Sequence, residues 1–327
     1  MFMSRSGGVK QAADDTLRRL RKDREIAASP KWFTDALAAP VRHGETVVED
    51  CPIHYMEWGE RGRPGLMLVH GGAAHAHWWS FLAPQLSDQY HVVAPDLSGH
   101  GNSGRREEYP RETWAREIMA VSADAEMKSP PILIGHSLGG HVSIVAASLF
   151  GERLAGAIIV DSPVRRPDPE SVEGARGRMF RNPKTYPDQE TAIEHFHLVP
   201  PQPCENEFIL RHVAAHSLIE VDGGWTWKFD PRVFLNVTPT PMSEFLSSTR
   251  CRVGLLRGQL SDLVSPEIGA YMYELLDRNA PVIEIPQAHH HLLLDQPLAF
   301  LAAARALLAD WEHSIPKTRK AATRKAT

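Results

Sequence analysis

The stretch PILIGHSLGGH at residues 131–141 narrows the range of folds more than any other part of the chain. It runs from a short apolar segment through Gly135-His136-Ser137-Leu138-Gly139 into the apolar helical pattern LGGHVSIVAASLF at 138–150. A short apolar run joined by a tight turn to a helix is half of a βαβ unit. A serine on such a turn takes strained backbone angles, and the residues two before and two after it must be small to avoid collision. Ser137 then projects at a helix N-terminus, where the Leu138 N–H faces any negative charge developing on a bound carbonyl.

The same rhythm recurs along the chain. GLMLVHG (65–71), HVVAPD (91–96), PILIG (131–135) and AGAIIVD (155–161) read as buried strands, and RVGLLRG (252–258) and PVIEIP (281–286) follow much later. Helical stretches lie between or after them, such as 138–150 and PLAFLAAARALLADW (297–311). Continuously apolar strands alternating with helices predict a mostly parallel sheet with helices on both faces. ETVVED and IHYMEW alternate and predict an antiparallel hairpin at one edge.

One stretch breaks this rhythm. Residues 163–245 are rich in proline and aromatics, with Trp225, Trp227 and Phe229 alternating in GGWTWKFDP as in an extended segment. An insertion of that length is no ordinary loop. Its expected place is over the carboxyl ends of the strands, where open α/β sheets bind ligands. The expected division is an N-terminal extension (1–44, helical over 12–27), a core (45–162 and 246–312), a mainly helical cap (163–245) and a basic, disordered tail (313–327).

Composition removes several classes. Residues 1–27 carry seven Lys/Arg against four Asp/Glu, and 313–327 carry five against none, so the body at 28–312 has a net charge of −12. An acidic body is a poor nucleic-acid binder. No apolar run approaches the roughly 20 residues that span a bilayer. The N-terminus lacks the apolar core of a secretory signal. Cys51, Cys204 and Cys251 are odd in number and widely spaced, which disfavours a disulfide scaffold or a thiolate metal site and predicts a cytoplasmic setting. No cofactor motif and no carboxylate–histidine spacing of a known metal site is present, so neither is expected. The expected partner is a small-molecule substrate, with the chain a monomer or homodimer.

A serine hydroxyl attacks only with help from a base and a group that orients it. In strand–turn–helix serine sites the chain order is Ser, acid, His. Asp262 lies in the loop beyond RVGLLRG, and a histidine cluster, QAHHHLLLDQP, lies beyond PVIEIP. With the serine turn, these residues resemble the α/β-hydrolase superfamily over roughly residues 45–312, particularly its capped, epoxide-hydrolase-like and esterase branches. His70-Gly71-Gly72, Asp96-Leu97-Ser98-Gly99-His100-Gly101-Asn102-Ser103 and Arg257-Gly258 carry the likeness further.

The resemblance implies an eight-stranded α/β-hydrolase sheet with Ser137 as nucleophile, His290 as base and Asp262 as acid. The family's histidine precedes an acidic residue by five positions, which selects His290 over His289 and His291, although the flanking histidines depart from the pattern. Some members carry the acid after the strand leading into the cap, which makes Asp161 the rival to Asp262. Asp96 reads as a turn-stabilising carboxylate. The oxyanion donors are expected to be the N–H groups of Leu138 and Gly72, with Ala73 the alternate, and His70 braces their loop. His136, Trp78, Trp225 and Trp227 are the candidate pocket residues, with core packing the competing role for the tryptophans. A serine nucleophile implies acyl chemistry through an acyl-enzyme, with an ester of a small, mainly apolar substrate as the default. Carbon–carbon hydrolysis of a diketone and ligand binding without turnover are the alternatives.

Overall fold

The computed structural model describes residues 29–166, 183–235 and 240–314. The helix expected at 12–27 and the basic tail, except for its first residues, lie outside the described residues.

Eight strands form one sheet in the order β1-β2-β4-β3-β5-β6-β9-β10. β1 (Arg42–Val48) and β2 (Cys51–Trp58) are the expected edge hairpin, and β2 runs antiparallel to β4 (His91–Pro95). All other pairings are parallel: β3 (Gly65–Val69) with β4 and β5 (Ile132–His136), β5 with β6 (Gly156–Val160), β6 with β9 (Arg252–Gly258), and β9 with β10 (Val282–Ile285). The mostly parallel eight-stranded sheet is therefore as the apolar runs predict.

The inner parallel strands β3, β4, β5 and β6 are largely apolar because both faces are covered. Leu66, Leu68, Val92, Ala94, Ile158 and Val160 point to one side, where they join Phe33 of α1 (Lys31–Leu37) and the late apolar residues Phe300, Leu301 and Leu308. Met67, Val69, Val93, Ala157 and Ile159 point to the other, joining Trp114 and Ile118 of α2 (Arg111–Asp124) and Val142 and Val145 of α3 (Leu138–Leu149). The period-two alternation of Cβ directions builds two cores from one set of strands.

Between β6 and β9 the described insertion contains α4 (Gln189–Glu194), α5 (Glu207–His216), the hairpin β7 (Leu218–Val221)/β8 (Gly224–Trp227), α6 (Arg232–Leu235) and α7 (Met242–Ser247). Trp225 and Trp227 thus lie on an extended strand. α7 spans the expected end of the insertion at 245 and packs on the body, with Leu246 in the α3-side core and the Arg250 N–H donating to Ala147 O at 2.9 Å. After β9 come α8 (Pro266–Leu275), the short α9 (Leu292–Asp295) and α10 (Pro297–His313). Among the described residues, no helix is long and apolar enough to cross a membrane.

Candidate active site

The chain leaves β3 toward β4 on one side and leaves its neighbour β5 toward β6 on the other, the topology that opens a crevice at the carboxyl ends of parallel strands. Ser137 stands at that crevice, between β5 and α3, with φ 54° and ψ −116°. The strain is held by close backbone approach. A side chain at Gly135 would collide with Gly139 O and Ser143 Oγ, and one at Gly139 with Val69 O and His70 O. The Ser137 N–H donates to Val160 O at 3.0 Å, which ties the turn to β6.

His290, in the loop between β10 and α9, reaches this serine. Its Nε2 lies 3.0 Å from Ser137 Oγ, and its Nδ1 lies 2.8 Å from Asp161 Oδ2. An ionised carboxylate only accepts, so this contact fixes the proton on Nδ1 and leaves the Nε2 lone pair facing the serine hydroxyl. Asp161 is buried at the end of β6 with φ 49°. Oδ1 accepts the Gly258 N–H at 2.9 Å, and Oδ2 also accepts the Ser261 hydroxyl at 2.6 Å.

The expectation of Asp262 at this position is corrected: the carboxylate on His290 is Asp161, and Asp262 is exposed. β6 and β9 are parallel neighbours, with Val160 opposite Leu256, so either strand end could present an acid here. Asp161 follows β6 at once. Beyond β9 the chain turns, with the Ser261 N–H donating to Gly258 O at 3.2 Å, and that turn sends Ser261 inward and Asp262 outward.

The loop after β3 closes the other side of the serine. An added Cβ at Gly71 would stand 3.3 Å from Ser137 Cβ, and one at Gly72 would stand 3.8 Å from Leu138 Cδ2. Leu138 is the first residue of α3, so its N–H has no acceptor within the helix. Ala73 sits at φ 57°. His70 braces this loop: the Leu97 N–H donates to its Nε2 at 3.0 Å, and its Nδ1–H donates to Gly71 O at 2.7 Å. Asp96 stabilises the turn beside it, accepting the Ala76 N–H at 2.7 Å, the Asn102 N–H at 2.9 Å and His54 Nδ1 at 2.9 Å. Burial acts to raise the pKa of this carboxyl, but these donors and the neighbouring His70 and His75 hold it well below the usual range.

Of the candidate pocket residues, His136 and Trp78 lie against the histidine loop, and Trp225 and Trp227 lie in the segment between β6 and β9. His136 is buried, with its Nε2 3.0 Å from His290 O, so it braces the histidine loop from beneath. Trp78 is buried with its ring 5.4 Å from that of His291. The two histidines flanking the site on that side, His136 and His291, are held far below the usual histidine range by burial and then by the neighbouring His290. Trp227 packs against Tyr186 and Phe196, at ring distances of 5.8 and 5.9 Å, inside the insertion. The backbone of Trp225 pairs with Tyr186 in the same layer.

Other side chains have roles at the site that the sequence did not single out. Phe234 of α6 reaches down so that an added Cβ at Gly72 would meet its Cε1 at 2.9 Å. It lies among short apolar segments with no motif. Gln202 of the insertion donates to both Asp295 oxygens, at 2.9 and 2.8 Å, and accepts the His291 N–H at 2.8 Å. Asp295 in turn accepts the His289 N–H at 2.8 Å. The acid five residues after His290 therefore fixes the shape of the loop and does not touch the His290 ring. Ring nitrogens of His136, His290 and His291 come within 4.8 Å of one another, but both His290 nitrogens are already engaged by Ser137 and Asp161.

Known proteins resemble this chain in sequence and in fold. A sequence model described as "Alpha/beta hydrolase family" matches residues 66–304. The probable protein phosphatase methylesterase 1 of Caenorhabditis elegans is 31% identical over 138 residues, which is 40% of this chain and 38% of that protein. Mouse epoxide hydrolase 4 is 31% identical over 113 residues, 34% of this chain and 31% of that one. The pimeloyl-[acyl-carrier protein] methyl ester esterase of Edwardsiella ictaluri is 33% identical over 101 residues, covering 31% and 37%. These matches span only 31% to 38% of each relative's length. Among solved structures, E-2-(acetamidomethylene)succinate hydrolase superposes with a TM-score of 0.73 at 21% identity, covering 83% of this chain and all (100%) of that one. The thioesterase domain from the curacin biosynthetic pathway gives 0.68 at 22%, covering 83% and 99%. The strand order, the serine turn and a family match over most of its length lead to one conclusion: this chain belongs to the alpha/beta hydrolase family.

Proposed function

We propose that the chain is a serine hydrolase that cleaves carboxylic esters or related acyl bonds through an acyl-enzyme. The observation that carries this reading is the continuous relay from Ser137 Oγ through His290 to Asp161, at 3.0 and 2.8 Å. His290 Nε2 takes the Ser137 proton as Oγ attacks the acyl carbonyl, and Asp161 stabilises the imidazolium that forms. The N–H groups of Leu138 and Gly72, with Ala73 as alternate, hold the oxyanion. Such a donor contributes about 3 kcal/mol, near a hundredfold in rate. The imidazolium then gives its proton to the leaving alcohol. Water attacks the acyl-enzyme by the same route, and the free acid departs.

Ester chemistry is also the chemistry in the names of two of the similar proteins, the methylesterase and the methyl ester esterase. In this reading residues 163–245 act as a cap, with Phe234 the apolar wall over Gly72. The substrate is a small, mainly apolar molecule.

The test is labelling with a fluorophosphonate probe, with the adduct located by peptide mass. The expected result is one adduct on Ser137, absent in Ser137→Ala and strongly reduced in His290→Ala. Folded wild-type protein that takes no label, and turns over no nitrophenyl ester, would overturn the reading.

A further inference from the structure

We propose that His77, His212 and His216 form a binding site for a divalent transition metal of the zinc class, joining the inserted helix α5 to the loop that follows β3. One ring nitrogen from each of the three lies within 4.8 Å of the others. The sequence RHVAAH puts His212 and His216 at i and i+4, on one face of α5. That spacing lets two imidazoles share a zinc ion. His77 meets them from the short 3-10 turn Ala76–Trp78. Its ring stacks on that of His216 at 3.9 Å, and the His212 and His216 rings are 4.4 Å apart.

The hydrogen bonds around the trio are those a metal site needs. A ligating histidine donates its other ring N–H to a fixed acceptor, which orients the ring and selects the free nitrogen. His216 Nδ1 lies 2.8 Å from His212 O and must donate to it, which leaves Nε2 as a lone pair. The Ser80 hydroxyl donates to His77 O at 2.9 Å, so its oxygen accepts from His212 Nε2–H at 2.8 Å and His212 Nδ1 is left free. Among the described residues, no hydrogen bond is found to the His77 ring. Two of the three ligands are thus oriented, His216 by the His212 backbone carbonyl and His212 by Ser80, and the third can turn.

The chemistry of the set selects the ion. Three imidazoles without a carboxylate suit zinc, copper, nickel or cobalt and not magnesium or calcium. Tetrahedral zinc at about 2.0–2.1 Å from nitrogen needs ligand atoms about 3.3 Å apart, so small side-chain rotations close the site. All three residues are half-buried, which leaves a fourth position for water. The two elements already meet here through His75 Nε2 and Ser217 Oγ at 2.8 Å. An ion at the trio adds a further, stronger tie between the insertion and the loop that carries Gly72 and Ala73.

The competing account is an aromatic cluster without an ion, since the His212 ring also stands edge-on to Phe33 at 5.7 Å. The two accounts separate on full-length, tag-free protein stripped with a chelator. Zinc is titrated against an indicator, cobalt by its visible absorption, and magnesium serves as control. The expected result is one equivalent of zinc, tetrahedral cobalt bands, a rise in Tm with zinc and none with magnesium. His77→Gln and the double variant His212→Gln/His216→Gln should weaken zinc by about a hundredfold or more, and Ser80→Ala by about tenfold. Because variants can misfold, long-range proton–nitrogen spectra of the unsubstituted protein give an independent readout. Zinc should shift His212 Nδ1 and His216 Nε2. No zinc uptake, equal binding by the variants, or shifts at His136 and His291 instead would each overturn the proposal.

Discussion

Asp161 Oδ2 and Ser261 Oγ meet at 2.6 Å, beneath the His290 ring that shares the same carboxylate oxygen. This carboxylate has no solvent exposure, and burying its oxygens is costly unless donors satisfy them. Here they come from the histidine, the Ser261 hydroxyl and the Gly258 N–H.

Asp161→Asn should therefore lower kcat on a nitrophenyl ester by about 10⁴-fold, because an amide can donate to Nδ1 and hold the wrong tautomer. Asp262→Asn should stay within about twofold of wild type. Steady-state kinetics on both variants decides the matter, and the reverse ranking would return Asp262 to the relay.

Removing the Ser261 hydroxyl leaves Asp161 with one donor fewer. A hydrogen bond to a charged group contributes about 1.5–3 kcal/mol. Ser261→Ala should lower kcat by about tenfold, with KM nearly unchanged. A change confined to KM would mean that Ser261 acts on binding and not on the acid.

Backbone oxygens cannot step aside as a side chain can. Gly139→Ala drives a methyl group into Val69 O and His70 O, and overpacking of this kind costs about 1–3 kcal/mol or more. Thermal unfolding should show a clear fall in Tm. An unchanged Tm would mean that the start of α3 is not packed on the end of β3 as described.

Glu57 contributes to the acid limb of stability. Burial acts to raise its pKa, but Arg61, Arg42 and His91 hydrogen-bond the carboxylate and bring it from the usual 4.5 down to about 2. A folded-state pKa below the unfolded one gives stability that is complete above pH 4.5 and fades as pH falls toward 2. Denaturant unfolding of wild type and Glu57→Gln should thus differ most near neutrality and converge in acid. A gap that stayed constant across this range would exclude the linkage.

Much of this was legible because it rests on local pattern. β3, β4, β5, β6 and β9 declare themselves as unbroken apolar runs, and β5 into α3 carries the glycine spacing that a serine turn requires. His290 could be singled out by its distance from Asp295, although Asp295 serves the loop and not the ring. The acid was harder. Asp161 and Asp262 both follow strands that end side by side, and only the turn after Gly258 decides which faces inward. The role of Phe234 and the meeting of His77 with His212 and His216 depend on where the insertion folds back. No local period encodes that.

Ala73, Ser137 and Asp161 share a further property, with backbone φ of 57°, 54° and 49°. Non-glycine residues there cost of order 1–3 kcal/mol each. On the proposed mechanism, chemistry and durability thus compete at these positions. Ser137→Gly or Ala73→Gly should make the fold sturdier, the first while silencing it. A search for heat-tolerant variants guided by survival of the fold alone would drift toward glycine at its working edge, and would have to be steered by turnover as well.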